Sequence, residues 1–458
     1  MMKMLQADIV IIGAGLTGLT LAYYLRQAGF KVLVLEKEKQ VGGVIQTHHE
    51  MGFTYESGPN TGVVGSSELV KLFDDLGLEF EVPGKTALER WIWKENRWHA
   101  IPTGLITAVK TPLFRFEDKL RILVEPFRKA GNNPDETISE MVRRRMGDSF
   151  LDYAVDPFIS GIYAGDPDKL ITRYALPKLY ALEQNYGSFI RGAIKKKKLP
   201  KTALEQRVTR GVFSVYGGLG KLIKTLESKI GSENILCDVS ELKVNHVDNQ
   251  FITNFRIEQD DYQFISSRVI STIGSHHLPR VFSFISEEQA LSFTNLRYAG
   301  IVQVVAGFRQ WKGLEIRSFG GLVPSSEKKD ILGILFPSAL FENRAPKGGA
   351  ILTFFIGGIK HPELYAKGDE EIVAIVRKSL SEMMKCSDDP DLLRIFRYQQ
   401  AIPQYESDTG ERLQMVHQLE KQYPGLIIAG NLKDGIGMAD RVKQAANIAA
   451  GIISENEV

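Results

Sequence analysis

The chain contains 458 residues, of which 43% are apolar and 24% charged, with a formal net charge of +2. This length predicts two or three domains, and the small net charge argues against a nucleic-acid partner. Cys237 and Cys386 lie far apart and form no CxxC pattern, so we expect neither a disulfide framework nor a zinc site. The first residues leave no room for a signal peptide, and no run of about 18 apolar residues occurs. We therefore expect a cytoplasmic protein without a membrane span.

The first predicted elements form a βαβ unit. Residues 8–12 predict a short buried strand, a helix with apolar residues at helical spacing follows, and residues 31–35 predict a second strand. The string GAGLTG over residues 13–18 places the pattern GxGxxG where backbone amides can approach a pyrophosphate. Glu36 ends the second strand, where a carboxylate can bind ribose hydroxyls and repel a 2′-phosphate. The unit predicts a site for NAD or FAD rather than NADP.

A second strand-glycine-helix pattern occurs near the C-terminus. Residues 425–431 predict a short strand, and residues 435–453 predict a loop that enters a helix. A helix N-terminus carries partial positive charge, which stabilises negative charge on the pyrimidine side of a reduced flavin. This pattern favours FAD over NAD. Because the two patterns lie at opposite ends of the chain, we expect the cofactor domain to be discontinuous.

Between the two ends the predicted structure changes from helical to stranded. Helical patterns cover residues 100–131 and 138–166. Strand patterns cover residues 235–244, 251–258, 299–308 and 349–358. We predict an α/β fold with an α+β substrate region. Its parts are an FAD-binding domain over residues 1–85, 206–275 and 416–458, a mainly helical domain over 86–205, and a sheet-based substrate domain over 276–415.

Two conspicuous patterns have structural rather than catalytic explanations. The run KKKKLPK over residues 195–201 predicts a solvated loop, with contact to an anionic surface as the alternative. The histidine pairs at 48–49 and 276–277 lack metal-ligand spacing, so we expect packing or surface roles. We assign no metal site and no catalytic histidine or cysteine.

Longer strings narrow the interpretation: VGGVIQT over residues 41–47, ESGPN over 56–60, DPFISGIYAGDPDKL over 156–170, ILFPSALFENRAPKG over 334–348 and AIPQY over 401–405. Together they resemble the protoporphyrinogen and coproporphyrinogen oxidase family of the flavin amine oxidase superfamily. The match runs in order through nearly the whole chain. It implies a Rossmann-type FAD-binding domain, a sheet-based substrate domain and a helical domain that faces a membrane.

The resemblance implies FAD-dependent removal of six electrons from a porphyrinogen in haem biosynthesis. Molecular oxygen would be the acceptor and hydrogen peroxide the second product, and the FAD would be non-covalent. Protoporphyrinogen IX is the expected substrate, with coproporphyrinogen III as the alternative. A flavin amine oxidase, a carotene desaturase, or an inactive flavin-binding interaction protein would use the same scaffold.

The family's flavin contacts fall on the following residues of this chain: Gly13, Ala14, Gly15, Leu16, Thr17, Gly18, Glu36, Lys37, Gly43, Val44, Gly58, Pro59, Asn60, Thr61, Val239, Ile436, Gly437 and Met438. Its substrate contacts fall on Gly161, whose missing side chain would let a pyrrole ring approach, and on Leu322 and Phe341 as an apolar clamp. Plain core packing is the alternative for the clamp residues.

One position departs from the family pattern. Many relatives carry an arginine where this chain has Asn60, which can form hydrogen bonds but cannot neutralise a substrate propionate. Another cation would then bind the carboxylate, or the substrate would lie differently. Arg90, Lys110 and Arg115 are cations whose positions the sequence does not reveal.

The segment over residues 100–129 mixes apolar and basic side chains in the manner of an interfacial helix. We expect it to contact the inner face of the cell membrane, or else to cover the substrate domain. A second copy of the chain is a further expected partner. The apolar members are Ile101, Leu105, Ile106, Val109, Leu113, Leu120, Ile122 and Leu123, and the basic members are Lys110, Arg115, Lys119, Arg121 and Arg128.

Overall fold

The computed structural model describes residues 3–84 and 89–456. Within these ranges the chain forms twenty strands, numbered in chain order: β1 (Lys3–Gln6), β2 (Ile9–Ile12), β3 (Val32–Leu35), β4 (Thr47–Glu50), β5 (Phe53–Glu56), β6 (Gly62–Val63), β7 (Glu89–Lys94), β8 (Arg97–Ala100), β9 (Val212–Phe213), β10 (Ile235–Leu236), β11 (Val239–Val247), β12 (Gln250–Ile257), β13 (Asp260–Ser266), β14 (Arg268–Ser271), β15 (Tyr298–Phe308), β16 (Ser318–Leu322), β17 (Gly333–Leu335), β18 (Ala350–Gly357), β19 (Leu392–Pro403) and β20 (Leu426–Ile428).

The α-helices of the described ranges are α1 (Leu16–Gln27), α2 (Ser67–Leu76), α3 (Leu105–Lys110), α4 (Phe116–Leu123), α5 (Ile138–Arg145), α6 (Asp148–Phe150), α7 (Asp156–Tyr163), α8 (Thr172–Ala175), α9 (Pro177–Tyr186), α10 (Phe189–Lys197), α11 (Ala203–Gln206), α12 (Gly220–Ile230), α13 (Leu278–Val281), α14 (Glu287–Thr294), α15 (Pro337–Leu340), α16 (Pro362–Tyr365), α17 (Asp369–Met384), α18 (Thr409–Gln422) and α19 (Met438–Asn456). None of these helices combines the length and apolarity needed to cross a membrane.

A five-stranded parallel sheet in the order β10-β3-β2-β14-β20 forms the first layer. Its strands are short apolar runs buried on both faces, as parallel strands require. Helices α1, α2, α12 and α19 pack on one face of the sheet. The other face packs on α18 and on a four-stranded sheet in the order β1-β13-β12-β11. The parallel sheet thus joins the N-terminal, central and C-terminal parts of the chain.

A seven-stranded sheet in the order β19-β15-β18-β17-β16-β7-β8 forms the second unit. Alternate residues of its strands pack beneath α17, so the intervening residues lie on the opposite face. Residues 89–100, which we expected within the helical domain, form β7 and β8 at the edge of this sheet. The sequence WIW over residues 91–93 explains why this segment is a strand. Trp91 and Trp93 enter the core beneath α17, while Ile92 packs on the other face of the sheet.

Helices α5, α9 and α10 meet at a buried ion cluster. Arg145 is fully buried and donates to Glu125 at 2.5 Å and to Glu183 at 2.5 Å. Glu125 also accepts hydrogen bonds from the Ser188 hydroxyl and the Phe189 backbone amide at the start of α10. Each buried charge therefore has several hydrogen-bonding partners, which offset the cost of removing that charge from water.

Two sequence predictions in this region are wrong. The lysine run does not begin in a loop, because Lys195, Lys196 and Lys197 form the last turn of α10, where cations stabilise the helix C-terminus. Leu113 does not belong to an outward-facing surface, because it is fully buried and packs with Ile92. The side chain of Leu105 lies outside the described part of the structure.

Candidate cofactor and substrate site

The glycine-rich loop follows β2 and enters α1. Gly13 adopts a φ of +102°, which favours glycine, and its amide donates to the Leu35 carbonyl oxygen at 2.8 Å. A Cβ on Gly18 would overlap the carbonyl oxygen of Gly13. These two glycines therefore permit the tight turn and the close packing of the helix on the strand.

Gly15 differs from the other two glycines because it faces open space. A Cβ on this residue would meet no heavy atom within 4 Å among the described residues. The neighbouring wall is the second glycine turn: the Gly42 amide donates to the Ala14 carbonyl oxygen at 2.8 Å, and a Cβ on Gly43 would lie 3.7 Å from Gly15 Cα. Gly58 lies directly against Val44. The structure thus brings three of the predicted cofactor segments together.

Glu36 lies at the end of β3 with its carboxylate buried next to the loop. Its Oε2 accepts a hydrogen bond from the Ala14 amide at 2.7 Å, and its Oε1 accepts one from the Glu38 amide at 3.0 Å. The Val239 amide donates to the Glu36 carbonyl oxygen at 3.0 Å, so this predicted contact is also adjacent. Lys37 points outward and pairs with Glu38 at 3.5 Å. The carboxylate is held at the mouth of the glycine loop, where a ribose is expected.

The C-terminal predicted contacts precede and begin α19. The Gly437 amide donates to Asp440 at 3.2 Å, and Met438 packs in the same core as Leu16. Ile436 packs on a different cluster, beside Tyr405 of the segment AIPQY. The N-terminal end of the 19-residue helix α19 therefore lies at the boundary between the two cores.

Segment 56–60 links the parallel sheet to the seven-stranded sheet. Gln303 of β15 donates to the Glu56 carbonyl oxygen at 2.7 Å, the Tyr398 hydroxyl of β19 donates to the Ser57 carbonyl oxygen, and the Thr353 hydroxyl of β18 donates to Asn60 Oδ1 at 3.0 Å. These three side chains lie on the sheet face opposite α17. The predicted contacts Gly58, Pro59, Asn60 and Thr61 are therefore positioned against that face.

Asn60 is buried, and its amide is engaged inside the protein. Besides accepting from Thr353, it donates from Nδ2 to the Gly58 carbonyl oxygen at 3.2 Å. The oxygen and the nitrogen of the Asn60 amide are thus both engaged in holding the loop over residues 56–60. The side chain therefore supports the loop conformation and adds no charge to the site.

Two of the three predicted substrate contacts meet on the same side of the seven-stranded sheet. Gly161 lies on the exposed side of α7, and a Cβ there would lie 2.6 Å from Leu322 Cδ2 at the end of β16. An ion-pair network holds the two elements together: Lys360 donates to Asp156 of α7 at 2.5 Å, and the Ser325 amide after β16 donates to the same carboxylate at 2.7 Å. The spacing between helix and strand is therefore fixed by partly buried polar contacts.

Phe341 is placed differently from Leu322. It is 4% exposed and packs with Leu340 and Phe319, in a cluster separate from that of Leu322. Arg90 belongs to β7, which pairs with β16, and its guanidinium lies 5.9 Å from the ring of Phe319 on β16. Arg90 is exposed and makes no ion pair within 4.0 Å with any residue in the described ranges. The sequence identified Arg90 as a candidate cation but did not reveal that it lies beside the Phe319 ring.

A buried carboxylate lies where the two sheets meet. Glu56 accepts hydrogen bonds from the Leu219 amide at 2.9 Å and the Thr47 hydroxyl at 2.7 Å, and Arg344 lies 3.9 Å away. Arg344 is shared with Glu81 at 2.7 Å. Burial raises the pKa of Glu56 to about 7, and the amide, the hydroxyl and Arg344 oppose that rise.

The histidine pairs have packing roles. His48 stacks on Tyr55 and Phe396 and contacts the Ser57 hydroxyl at 2.8 Å, which agrees with our expectation. The rings of His276 and His277 lie 4.0 Å apart after β14, and burial lowers the pKa of His277 to about 4. Local contacts therefore account for both histidine pairs.

The predicted phosphate, ribose and flavin contacts meet along one edge of the parallel sheet, at the carboxyl ends of β2 and β3. The open space at Gly15, the adjacent Gly43 and the buried carboxylate of Glu36 suit a pyrophosphate followed by a ribose. FAD would be held by these residues and by the N-terminal end of α19, and when bound it supplies a two-electron acceptor. The fold and this edge define a dinucleotide-binding flavoprotein.

Comparison with known proteins extends this assignment. Residues 16–453 match the model of the flavin containing amine oxidoreductase family. Protoporphyrinogen oxidase 2, chloroplastic/mitochondrial, of Arabidopsis thaliana is 27% identical over 97% of this chain and 94% of its own. Coproporphyrinogen III oxidase of Bacillus subtilis (strain 168) is 25% identical over 96% of each chain. A solved structure from Exiguobacterium sp. 255-15 superimposes with a TM-score of 0.80 at 24% identity, covering 99% of this chain and 100% of that one.

The chain belongs to the flavin containing amine oxidoreductase family. It is an FAD-dependent oxidoreductase, and the predicted fold class, flavoenzyme assignment and cofactor are confirmed. Cyclohexylamine oxidase from Brevibacterium oxydans IH-35A shares the fold as well, with a TM-score of 0.70 at 16% identity over 99% of this chain and 100% of that one. The scaffold alone therefore does not select a substrate.

Proposed function

We propose that this enzyme oxidises protoporphyrinogen IX to protoporphyrin IX in haem biosynthesis, with FAD as the first electron acceptor and molecular oxygen as the second. Six electrons leave the substrate in three two-electron turns, and each turn yields one hydrogen peroxide. Support comes from nearly full-length similarity to relatives named protoporphyrinogen oxidase and coproporphyrinogen III oxidase. Coproporphyrinogen III is the competing substrate, since the relatives of both names match with almost equal identity.

The observation that favours protoporphyrinogen is the scarcity of unpaired cations beside the predicted contacts. Arg90 is exposed and free of ion pairs, whereas Lys360 is occupied by Asp156 and Arg344 by Glu81 in the described structure. Protoporphyrinogen IX carries two carboxylates and coproporphyrinogen III carries four. Among the described residues, an apolar site with few unpaired cations suits the less charged porphyrinogen, because an unpaired buried carboxylate is costly.

The residues of this chain would bind and orient the macrocycle. Gly161 lets α7 approach Leu322 closely, so that the helix and the sheet would together support one side of the macrocycle, and Arg90 would pair with a propionate outside the apolar region. The N-terminal end of α19 stabilises negative charge near Gly437. Orientation and electrostatics are thus the contributions of the protein.

A parallel assay with both porphyrinogens tests the substrate. We expect porphyrin fluorescence to rise in air with a kcat/KM at least about tenfold higher for protoporphyrinogen IX, together with three equivalents of hydrogen peroxide. A preference for coproporphyrinogen III would replace the proposed substrate. Absence of porphyrin formation from either compound by the yellow, FAD-loaded protein would refute the function.

The role of Arg90 is tested by substitution. For Arg90→Ala we expect KM for protoporphyrinogen to rise about 10- to 100-fold with kcat nearly unchanged, because a charge-assisted contact to a remote carboxylate is lost. Arg90→Lys should recover part of the affinity. Arg317→Ala is the matched control, since this exposed arginine precedes the neighbouring strand and pairs with Glu315. Equal effects of Arg90→Ala and Arg317→Ala would remove Arg90 from the substrate site.

A further inference from the structure

The loop between β20 and α19 is held by side chains of α19 itself. Arg441 donates from Nη1 to Gln444 Oε1 at 2.8 Å and from Nη2 to the Lys433 carbonyl oxygen at 2.8 Å. Gln444 also accepts from the Gly430 amide at 2.9 Å and donates to the Asp434 carboxylate at 2.8 Å. Both side chains are buried. Arg441 and Gln444 therefore fix the path by which the chain enters α19.

Arg441 occupies an electrostatically costly position. It is the fourth residue of α19 and is only 8% exposed. Its Nε is buried without a hydrogen-bond partner, and no carboxylate of the described ranges lies within 4.0 Å of its guanidinium. A buried cation without an ion pair is costly, and the partial positive charge of a helix N-terminus increases that cost. An anion outside the protein chain would offset it.

Two carboxylates lie near Arg441 without pairing with it. Burial lowers the pKa of Arg441, whereas the charges of Asp434 and Asp440 oppose that decrease. Both carboxylates accept hydrogen bonds from other groups: Asp440 from the Gly437 amide at 3.2 Å, and Asp434 from Gln444. Arg441 therefore balances their charge from a distance. Its loss would leave the start of α19 with an excess of negative charge.

The guanidinium of Arg441 spans the predicted flavin contacts. The loop leaves the carboxyl end of β20, in the same parallel sheet that carries the glycine loop after β2. Met438 at the start of α19 packs in the core that contains Leu16 at the start of α1. The predicted contacts over residues 436–438 lie between Lys433 and Arg441, which are joined by a hydrogen bond. The anion that Arg441 faces across this segment is therefore expected to belong to the cofactor.

We propose that Arg441 is a positioning residue for the flavin of bound FAD. It holds the segment over residues 436–438 and keeps the start of α19 electropositive, which stabilises negative charge on the flavin. The oxidised flavin is neutral, whereas uptake of two electrons and one proton leaves it with one negative charge, so Arg441 favours the reduced state. The proposal rests on the FAD-dependent oxidoreductase assignment and not on which porphyrinogen is oxidised.

The redox equilibrium between the FAD-loaded protein and a reference dye, followed by absorbance without oxygen, tests this role without any porphyrinogen. For Arg441→Met we expect the equilibrium constant for two-electron reduction to fall at least about tenfold, which corresponds to about 30 mV. Arg441→Lys keeps the positive charge and should retain an equilibrium constant within about threefold of wild type, although it loses the planar fork. An equilibrium constant of Arg441→Met equal to that of the wild type would overturn the proposal.

Asp434→Asn tests the same charge balance in the opposite direction while keeping the buried arginine. Asp434 has a φ of +64°, which asparagine tolerates, and the asparagine oxygen can still accept from Gln444. We expect the equilibrium constant for reduction to rise at least about twofold, a smaller change because Asp434 is exposed and its charge is screened. A decrease or no change would overturn the proposal, even where Arg441→Met retains too little FAD to measure.

Arg412→Met is the matched control for the loss of a buried arginine. Arg412 of α18 is 1% exposed but pairs with Asp408 at 2.8 Å. Its variant should keep the wild-type equilibrium constant. An equal decrease in Arg412→Met and Arg441→Met would show that the effect is general destabilisation and would overturn the proposal.

Release of FAD from the loaded protein on dilution, followed by flavin fluorescence, identifies the competing anion. We expect Arg441→Met to bind oxidised FAD with a Kd within about threefold of the wild type, because the oxidised flavin carries no charge for Arg441 to stabilise. A Kd raised at least about tenfold with an unchanged reduction equilibrium would assign Arg441 to the pyrophosphate and overturn the proposal.

Discussion

The cofactor edge and the substrate face are built in different ways. At the cofactor edge, Gly13, Gly18 and Glu36 lie within 24 residues of one another and act through backbone conformation, close approach and one buried carboxylate. At the substrate face, Arg90, Gly161 and Leu322 come from distant parts of the chain and meet through sheet register and helix packing. A local site is therefore sensitive to backbone changes, whereas an assembled site is sensitive to the spacing between elements.

The largest expected effect would come from a side chain at Gly15. This residue has a φ of −73° and open space, so Gly15→Val should fold while filling the region that the pyrophosphate needs. We expect the purified variant to be colourless, with FAD occupancy below about a tenth of wild type and oxidase activity lost accordingly.

The control for Gly15→Val is Gly451→Val, because Gly451 also has no neighbour within 4 Å and lies on the exposed side of α19. It should retain FAD. Absorbance near the flavin maximum and the circular dichroism of both variants make the comparison. Wild-type FAD occupancy in Gly15→Val would remove Gly15 from the cofactor edge.

The second effect concerns Glu56, which joins the two regions through Leu219 on one side and Gln303 on the other. Its folded-state pKa of about 7 lies above the unfolded value of about 4.3. The native state therefore holds the proton more tightly, and the free energy of unfolding falls as the pH rises from about 4 to about 7. The protonation of Glu56 contributes about 4 kcal/mol at most to the free energy of unfolding.

Urea unfolding at pH 5 and pH 8 measures the effect. Glu56→Gln should show a smaller decrease than the wild type over this range and should be the more stable protein at pH 8. Glu288→Gln removes an exposed carboxylate and should keep the wild-type dependence. An identical decrease in the wild type and in Glu56→Gln would show that Glu56 is ionised in the folded protein throughout.

The smallest effect tests the spacing between α7 and β16. Gly161→Ala should press on Leu322 Cδ2 and raise KM for protoporphyrinogen about tenfold, with FAD occupancy unchanged. Leu322→Ala alone should raise KM a few-fold by removing apolar contact. The rise in KM of the double variant should be smaller than the product of the two single rises, because alanine at position 322 leaves room for the methyl group added at position 161. Strict additivity would show that the two positions do not meet at the substrate.

The parts of the cofactor edge that the sequence predicted are those determined by near neighbours. Strand β2, the glycine loop and Glu36 follow one another directly, so apolar runs and glycine spacing are sufficient to identify them. The predicted strand over residues 299–308 is likewise observed as Tyr298–Phe308, because its long apolar run matches a strand buried on both faces.

The substrate face could not be predicted to the same extent, because its contacts depend on distant pairing. Nothing next to Arg90 in sequence reveals that β7 lies parallel to β16, and Phe341 lies in a separate buried cluster from Leu322. Composition also does not predict which charged residues are buried. Arg145 belongs to the string RRR, yet it is fully buried between Glu125 and Glu183. A charge pattern does not show which of its members faces the core.

The order of strands in the parallel sheet has a consequence for biosynthesis. Strand β14 pairs with β20, and about 150 residues separate them. At about 5–20 residues per second, a ribosome needs roughly 8 to 30 s to make that interval. Until Leu426–Ile428 emerges, β14 is an unpaired apolar edge on a nascent chain, and α19 does not yet exist to cover α1. Completion of the cofactor edge is thus a late step of translation, during which the growing polypeptide exposes the kind of surface that chaperones bind.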